Sequence, residues 1–190
     1  MSANETATLL LDQAQTLVQE RGFNAFSYKD LAKAVGIRTA SIHYHFPSKG
    51  DLGVALMQRY SAGLEGLLTS LDARRSSHLS RLKGLIDAYA ATEAKGAICL
   101  CGSLASDLNT LPEHLAGAVA AYLDRSLAWI QTVLEDGIRE GEFTPKGKPA
   151  DLAAILISSL QGALMLSRGS GGTPLIARVR RSFLHSLESA

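Results

Sequence analysis

The sequence predicts an all-α protein. Apolar residues recur at the three- and four-residue spacing of amphipathic helices along nearly the whole chain, and no run alternates apolar and polar residues as a half-buried strand does. The 190 residues are 46% hydrophobic, so the chain is able to bury a sizeable core. We therefore expect a folded protein of about nine helices.

Composition excludes several classes of protein. Lys and Arg number 19 against 18 Asp and Glu, so no overall basic charge marks the chain for nucleic acid. Two cysteines, Cys99 and Cys101, are too few for the disulfide framework of a secreted domain. No basic leader precedes an apolar stretch at the N-terminus, and the most apolar segment, 150–167, contains Asp151 and Gln161. These features favour a cytoplasmic protein with a buried apolar helix over a secreted or membrane-spanning one.

The first three helices are predicted from the residues at their ends. A first helix ends at Gly22, a residue type that accepts the backbone geometry of a helix terminus. A second begins at Ser27, whose side chain is expected to form a capping box with Asp30. Gly36 then permits a sharp turn before a short third helix over 38–46.

The later helices follow from the same kind of signal. Ser48 and Asp51 repeat the capping box and start a fourth helix that runs toward Leu71. Residues 74–77 read as a solvated connection. The remaining helices are expected over 79–95, 101–108, Thr110 to about Gly141, 150–168 and 174–188, with Glu113 completing a capping box with Thr110 and with Pro149 and Pro174 in first helical turns.

Residues 27–49 have the pattern of a helix-turn-helix. Ala32 is small where two helices must approach each other, Gly36 makes the turn, and Ile42 holds the pair together. Two short helices held in this way leave the outer face of the second one free. That face offers polar side chains able to contact phosphates or read base edges in a major groove: Arg38, Thr39, Ser41, His43, Tyr44 and His45.

Local charge agrees with a nucleic-acid partner. Between residues 28 and 49 the chain carries four basic side chains against Asp30 alone, a net charge of +3 before any histidine is counted. The competing interpretation is a compact three-helix bundle whose polar face is only solvated. Composition does not distinguish a DNA-binding face from a solvated one, so the distinction depends on the order of the residues in the motif.

The run over 36–49, GIRTASIHYHFPSK, resembles the TetR family of bacterial repressors, and the resemblance extends over about residues 9 to 56. In that family the third helix enters the major groove and the fourth connects it to a ligand-binding core. The resemblance therefore implies a helix-turn-helix DNA-binding domain over 1–48 and a helical ligand-binding and dimerisation domain over 49–190. Helix 49–71 would link the two.

Site residues are carried over from the family position by position. The resemblance implies that the base-facing residues are Arg38, Thr39, Ala40, His43 and Tyr44. It implies that the residues touching phosphate or deoxyribose are Ser27, Tyr28, Ser41, His45 and Lys49. One departure matters, because the family usually has tyrosine at the position of His43, whereas here the tyrosine is the next residue. The operator sequence therefore cannot be copied from relatives.

Residues 97–113 resemble the TetR branch that includes the repressor of N-ethylmaleimide reductase. In that branch a cysteine occupies the position of Cys99, and some members use it to sense electrophiles or oxidants. The alternative is a small residue packed between helices, which is the more natural interpretation of Cys101. The two cysteines lack the histidines or further thiols that would complete a metal shell, so we expect no metal site and no cofactor.

The C-terminal region offers candidates for a pocket and for an interface. The large side chains that are candidates for an apolar ligand pocket between helices, or else for the core, are Tyr89, Tyr122, Trp129 and Met165. A ridge of small residues at four-residue spacing consists of Ala154, Ser158 and Gly162. The ridge is expected either to pack inside one subunit or, as the resemblance implies, to form an intersubunit four-helix bundle in a homodimer.

The expected function is a homodimeric transcriptional repressor, released from palindromic double-stranded operator DNA by a small molecule or an electrophile. It would act in the cytoplasm, at the nucleoid, through operator binding. Two other classes compete with this interpretation: a thiol-dependent enzyme, and a helical ligand-binding or scaffold protein without operator binding. No nucleophile, base and orienting group stand together in the sequence, so we expect no catalytic residues.

Overall fold

The computed structural model describes residues 2–74 and 77–188, which form helices and connections and contain no strand. This confirms the all-α class. Arg75 and Ser76, half of the predicted connection over 74–77, lie outside the described residues. Within that part of the chain the nine α-helices are α1 Ala3–Arg21, α2 Tyr28–Val35, α3 Thr39–His45, α4 Lys49–Ala73, α5 His78–Glu93, α6 Leu100–Ser106, α7 Glu113–Arg139, α8 Pro149–Gly169 and α9 Ile176–His185, and short 3-10 turns span Phe23–Ala25 and Leu108–Thr110.

The chain divides into two compact units. The first unit comprises Met1–Ala62 and Leu100–Tyr122, and the second comprises Gly63–Cys99 and Leu123–Ala190. The first therefore contains more than the predicted domain over 1–48, because the start of α4, α6 and the start of α7 group with the N-terminal helices. Gly53 shows the reason: a Cβ built there would lie 2.5 Å from Leu115 and 3.1 Å from Phe23.

Local signals set the N-terminal helices as predicted. Ser27 and Asp30 form a reciprocal capping box at the start of α2. Gly36 has φ +77°, the left-handed geometry that favours glycine, so it ends α2 and turns the chain toward α3. Ser48 and Asp51 exchange the same kind of hydrogen bonds at the start of α4.

Two end signals in the later helices were predicted wrongly. Thr110 does not cap α7, since its hydroxyl donates to the carbonyl of Asp107 and accepts from Asn24, and α7 begins only at Glu113. Pro174 does not enter a first turn either, because α9 begins at Ile176. Pro149, by contrast, is the first residue of α8, as predicted.

Helix α8 is the most apolar element of the second unit. It buries one stripe that includes Leu156, Leu160 and Leu164. By length and composition alone it is able to cross a membrane, but 44% of its most apolar window is buried inside the protein. The exposed residues of α8, such as Met165 and Leu166, lie on the outer side of this helix.

Candidate DNA-binding surface

Helices α2 and α3 form the helix-turn-helix. Leu31 and Ile42 are completely buried, and Phe46 is nearly so, which fixes α3 against the first unit by one face. The backbone N–H groups of Gly36 and Ile37 both donate to the carbonyl of Ala32, at 2.9 and 3.1 Å, and close the turn. Because α3 has only seven residues, this anchoring leaves its whole opposite face in solvent.

The outward face of α3 carries the predicted base-facing residues. Tyr44 is 79% exposed, the highest value among the exposed large hydrophobic residues. Arg38, directly before α3, and Ala40 are exposed, whereas Thr39 is half-buried. An open groove with Ala3 and Thr6 of α1 on one side runs beside this face, and its α3-side lining consists of Ile37, Arg38, Ala40, Ser41, Tyr44 and His45.

His43 is exposed but held in one orientation. Its Nδ1 lies 3.0 Å from the carbonyl oxygen of Pro47. Its ring meets the ring of Tyr28 edge to face, with centroids 4.9 Å apart. The structure therefore brings His43 and Tyr28 together, a contact that the sequence did not indicate.

Tyr28 is tied to the connection between α3 and α4. Its hydroxyl lies 2.9 Å from the carbonyl oxygen of Phe46 and 2.6 Å from that of Ser48, and both are acceptors for its single proton. Burial, with a smaller contribution from the Asp51 carboxylate, raises the pKa of Tyr28 to about 12. The hydroxyl thus stays protonated, and the proton needed for a phosphate contact is already donated inside the protein.

Lys49 is also turned inward. Its ammonium donates to the carbonyl oxygens of Phe23 and Phe26, at 2.5 Å each, and lies 4.8 and 4.2 Å from the centroids of their rings. Burial lowers the pKa of Lys49, partly opposed by Asp107 and Asp30. Lys49, which the resemblance assigns to a phosphate or deoxyribose contact, is thus bonded within the protein and holds the connection between α1 and α2.

The other predicted phosphate contacts are placed differently from one another. The Ser27 hydroxyl donates to Asp30 at 2.6 Å, and this bond lowers the pKa of the Asp30 carboxyl. Ser41 is exposed on α3. His45 is half-buried and meets the Tyr44 ring edge to face at 5.1 Å. Ser41, His45 and Tyr44 therefore share one accessible surface, whereas Ser27 is engaged in its cap.

Sequence reasoning missed a clamp on the end of α1. Asp107 accepts the backbone N–H groups of Phe23 and Asn24, at 2.9 and 3.3 Å. The buried hydroxyl of Ser103, on α6, donates to the carbonyl of Val18 at 2.9 Å. Helix α6 and the residues after it therefore hold the segment that enters the helix-turn-helix. No local spacing signals these bonds, because the partners lie more than 80 residues apart.

The predicted sensing residues are mostly interior. Cys99 is 3% exposed, and Cys101, which was expected to pack between helices, is 0% exposed. Trp129 is buried and its indole N–H donates to the carboxylate of Asp72, at 3.1 and 3.2 Å. Tyr89 is buried too, and its hydroxyl accepts from Gln161 at 3.3 Å. Tyr122, in the first unit, is buried with its ring stacked on Tyr60 at 5.1 Å.

Met165 differs from the other predicted sensing residues because it is exposed. It is 53% exposed on the outer face of α8, beside Leu166 at 65%, so its assignment to an interior pocket is corrected. Ile155, at 54%, lies on the same helix. Ala154 and Ser158 are exposed and Gly162 is half-buried. We call these six residues, Ala154, Ile155, Ser158, Gly162, Met165 and Leu166, the α8 face.

Glu93 supports the α8 face from the inside of its unit. Its carboxylate accepts the Ser167 hydroxyl at the end of α8, at 2.5 Å, and the backbone N–H groups of Leu175 and Ile176 at the start of α9, at 2.7 and 3.1 Å. Partial burial alone would raise the pKa of Glu93, but these hydrogen bonds outweigh it and hold the pKa below its ordinary value. Glu93 therefore joins α8 to α9.

Comparison with known proteins agrees with this architecture. Residues 10–56 match the family of bacterial regulatory proteins called the tetR family, and residues 78–183 match the tetracyclin repressor-like C-terminal domain. A TetR-family transcriptional regulator from Agrobacterium tumefaciens is 32% identical, with a TM-score of 0.93 over 99% of this chain and 100% of that one.

Two curated relatives are named as repressors. The transcriptional repressor NemR of Escherichia coli is 28% identical over 193 residues, 98% of this chain and 90% of its own length. The repressor KstR2 of Mycolicibacterium smegmatis is 28% identical over 138 residues, 72% of this chain and 66% of its own length. The chain belongs to the TetR family of bacterial regulatory proteins, which are DNA-binding transcriptional regulators and not enzymes.

Proposed function

We propose that this protein is a homodimeric repressor that binds a palindromic operator through the outward face of α3 and leaves it when a small molecule occupies the C-terminal domain. The observation that carries the proposal is the polar, exposed face of α3, anchored from behind by Ile42 and Phe46. It would act in the cytoplasm, on double-stranded DNA. The base-facing set remains Arg38, Thr39, Ala40, His43 and Tyr44.

The phosphate contacts are proposed in revised form. Ser41 and His45 keep this role, because both lie beside Tyr44 on the accessible surface. Tyr28 acts instead as a tie on the connection between α3 and α4, and Lys49 as a tie on the connection between α1 and α2, because their donors are already bonded to backbone carbonyls. Removal of either tie would displace the reading face and so weaken binding indirectly.

The α8 face is the proposed dimer interface. Its three large apolar residues are each more than half exposed, and covering them with the same face of a second copy would remove them from water. The small residues Ala154, Ser158 and Gly162 allow two helices to approach closely. Two copies related by a twofold axis would then present two α3 helices to successive half-sites, about 34 Å apart on DNA.

We propose that the signal is a reversible ligand, and an electrophile is the second candidate. A thiol senses only when it is accessible as a thiolate, and Cys99 is almost completely buried. The crystal structure of the reduced form of NemR from Escherichia coli is 22% identical in sequence to this chain, and this similarity shows the common fold alone. Whichever signal acts, α6 is the proposed relay, because Cys99 directly precedes it and Ser103 on it bonds to the end of α1.

The test is a mobility-shift assay with DNA upstream of the protein's own gene, in the presence and absence of a quinone, for wild type and Cys99→Ser. We expect a specific shift that survives the quinone in both proteins. Release by the quinone in wild type alone would establish a cysteine sensor in place of a reversible ligand. A failure to shift specifically at any salt concentration would contradict the repressor function.

A further inference from the structure

We propose that His43 determines operator specificity by accepting a hydrogen bond, through Nε2, from the exocyclic amino group of adenine or cytosine. The inference rests on the proposed function, since it assigns a base class to one position of the DNA contacted by α3. It does not depend on the dimer interface or on the inducer. Three observations carry it: the bond to Pro47, the contact with Tyr28 and the place of His43 on α3.

The bond to Pro47 fixes the tautomer of the neutral ring. A carbonyl oxygen only accepts, so Nδ1, 3.0 Å from the oxygen of Pro47, must carry the proton. Nε2 then has a lone pair and no hydrogen. Among the described residues no other hydrogen bond involves the His43 ring, so Nε2 is left for a partner outside the protein.

Tyr28 fixes the plane of the ring. Its aromatic ring contacts that of His43 at a centroid distance of 4.9 Å and an interplanar angle of 66°. Tyr28 is itself held by the carbonyls of Phe46 and Ser48, so the support is rigid. The acceptor is therefore oriented before any DNA arrives, which lowers the entropy cost of making a directional bond.

The position of His43 on α3 places its ring on the side of the helix that we expect to face DNA. His43 lies one helical turn after Thr39 and next to the buried Ile42, and its side chain is exposed. The second helix of a helix-turn-helix presents this exposed side to the major groove.

Only two groups in that groove donate hydrogen bonds, the N6 amino group of adenine and the N4 amino group of cytosine, whereas guanine and thymine present acceptors. An acceptor at a fixed place therefore selects adenine or cytosine on one strand.

The first experiment selects binding sites from a pool of randomised duplexes at pH 8. His43→Asn keeps an amide nitrogen near the Nδ1 position, and so the bond to Pro47, but removes Nε2. We expect wild type to require adenine or cytosine at one position of each half-site and His43→Asn to accept any base there. His43→Gln should narrow the choice to adenine, with which glutamine pairs through two hydrogen bonds.

The second experiment removes only the amino group. In the selected site the contacted adenine is replaced by purine, or the contacted cytosine by 2-pyrimidinone. Wild type should lose about tenfold in affinity, as expected for one hydrogen bond, and His43→Asn less than about twofold. An equal loss in both proteins, or selection of guanine or thymine at the position that responds to His43, would overturn the assignment while leaving operator binding intact. Failure of wild type to select any sequence would contradict the repressor function and the assignment together.

A third measurement needs no DNA. A long-range 1H–15N spectrum of the free protein labelled on histidine should show His43 with a protonated Nδ1 and an unprotonated Nε2 at pH 8. The opposite tautomer would overturn the proposal even if a substitution at His43 changed the stability of the fold.

Discussion

The outward faces of α3 and α8 differ in how their side chains are placed before any partner binds. Around α3, the side chains of Tyr28, His43 and Lys49 are each bonded to backbone carbonyls before any partner is present. The α8 face has large apolar side chains exposed to water, such as Leu166 at 65%. Binding to a hydrated, charged partner such as DNA is favoured when the donors and acceptors are already oriented. An apolar face contributes most binding free energy when a partner covers it and removes it from water. We therefore expect substitutions around the two faces to have different effects.

The largest expected effect is on the α8 face. Leu166→Glu would place an unpaired carboxylate in the proposed interface, so we expect the dimer to dissociate, with an affinity loss of at least about a hundredfold. Sedimentation velocity measures the change from dimer to monomer. Leu108→Glu is the matched control, because it adds the same charge at another exposed leucine, 44% accessible. A Leu166→Glu protein that remains dimeric would place the interface elsewhere.

The clamp on the end of α1 comes next. Asp107→Ala removes the acceptor of the N–H groups of Phe23 and Asn24, and we expect a loss of about 2 kcal/mol in the free energy of unfolding. Calorimetry should show the melting temperature reduced by about 4 to 8 °C. Asp107→Asn retains an acceptor and should lose less than half of this, and Asp124→Ala, on the exposed surface, should lose almost nothing. Equal losses in Asp107→Ala and Asp107→Asn would argue against the hydrogen bonds as the cause.

Lys49 distinguishes an internal tie from a phosphate contact. Lys49→Met should lower the free energy of unfolding by about 1 kcal/mol, because two carbonyls lose their donor. The dependence of operator affinity on salt should stay unchanged, whereas a lost phosphate contact would reduce the slope of log K against log salt by about 0.9 per contact. Fluorescence anisotropy over a salt series measures the slope. Lys33→Met, which removes an exposed charge from α2, serves as the control for net charge.

The smallest effect is expected at Glu93, behind the α8 face. Glu93→Gln should cost about 1 kcal/mol at pH 7, a modest value because the carboxylate is only partly buried. Since the folded-state pKa lies below the ordinary value of 4.5, the contribution is complete above that pH and is lost as the pH falls through the folded pKa. Urea unfolding of the two proteins should therefore converge in acid. A constant difference across pH 3 to 7 would show that ionisation of Glu93 is irrelevant. Asp124→Asn, on the exposed surface within α7, is the control and should show almost no difference at either end.

The distance along the chain between bonded partners explains which contacts the sequence could predict. Ser27 with Asp30 and Ser48 with Asp51 are partners three residues apart, and Gly36 acts through its own backbone, so these elements are visible in the sequence itself. Lys49, Asp107 and Glu93 bind partners 26, 84 and 82 residues away, and no periodicity or spacing reports such pairs.

Met165 illustrates a related difficulty. A methionine in an apolar helix fits an interior pocket and an exposed interface equally well from its sequence pattern. Only the position of α8 against its neighbours shows which side of the helix is left outside. The helix-turn-helix could be predicted from the family motif, whereas the packing inside the second unit could not.

The central claim is that the exposed face of α3 reads operator DNA. The most direct test compares wild type with Tyr44→Ala, at a base-facing candidate that is 79% exposed, by fluorescence anisotropy on DNA upstream of the protein's own gene and on a scrambled duplex. We predict that wild type prefers the upstream DNA by at least about a thousandfold and that Tyr44→Ala loses about tenfold or more of that preference while its fold is unchanged. Equal binding of both proteins to both duplexes would contradict the account.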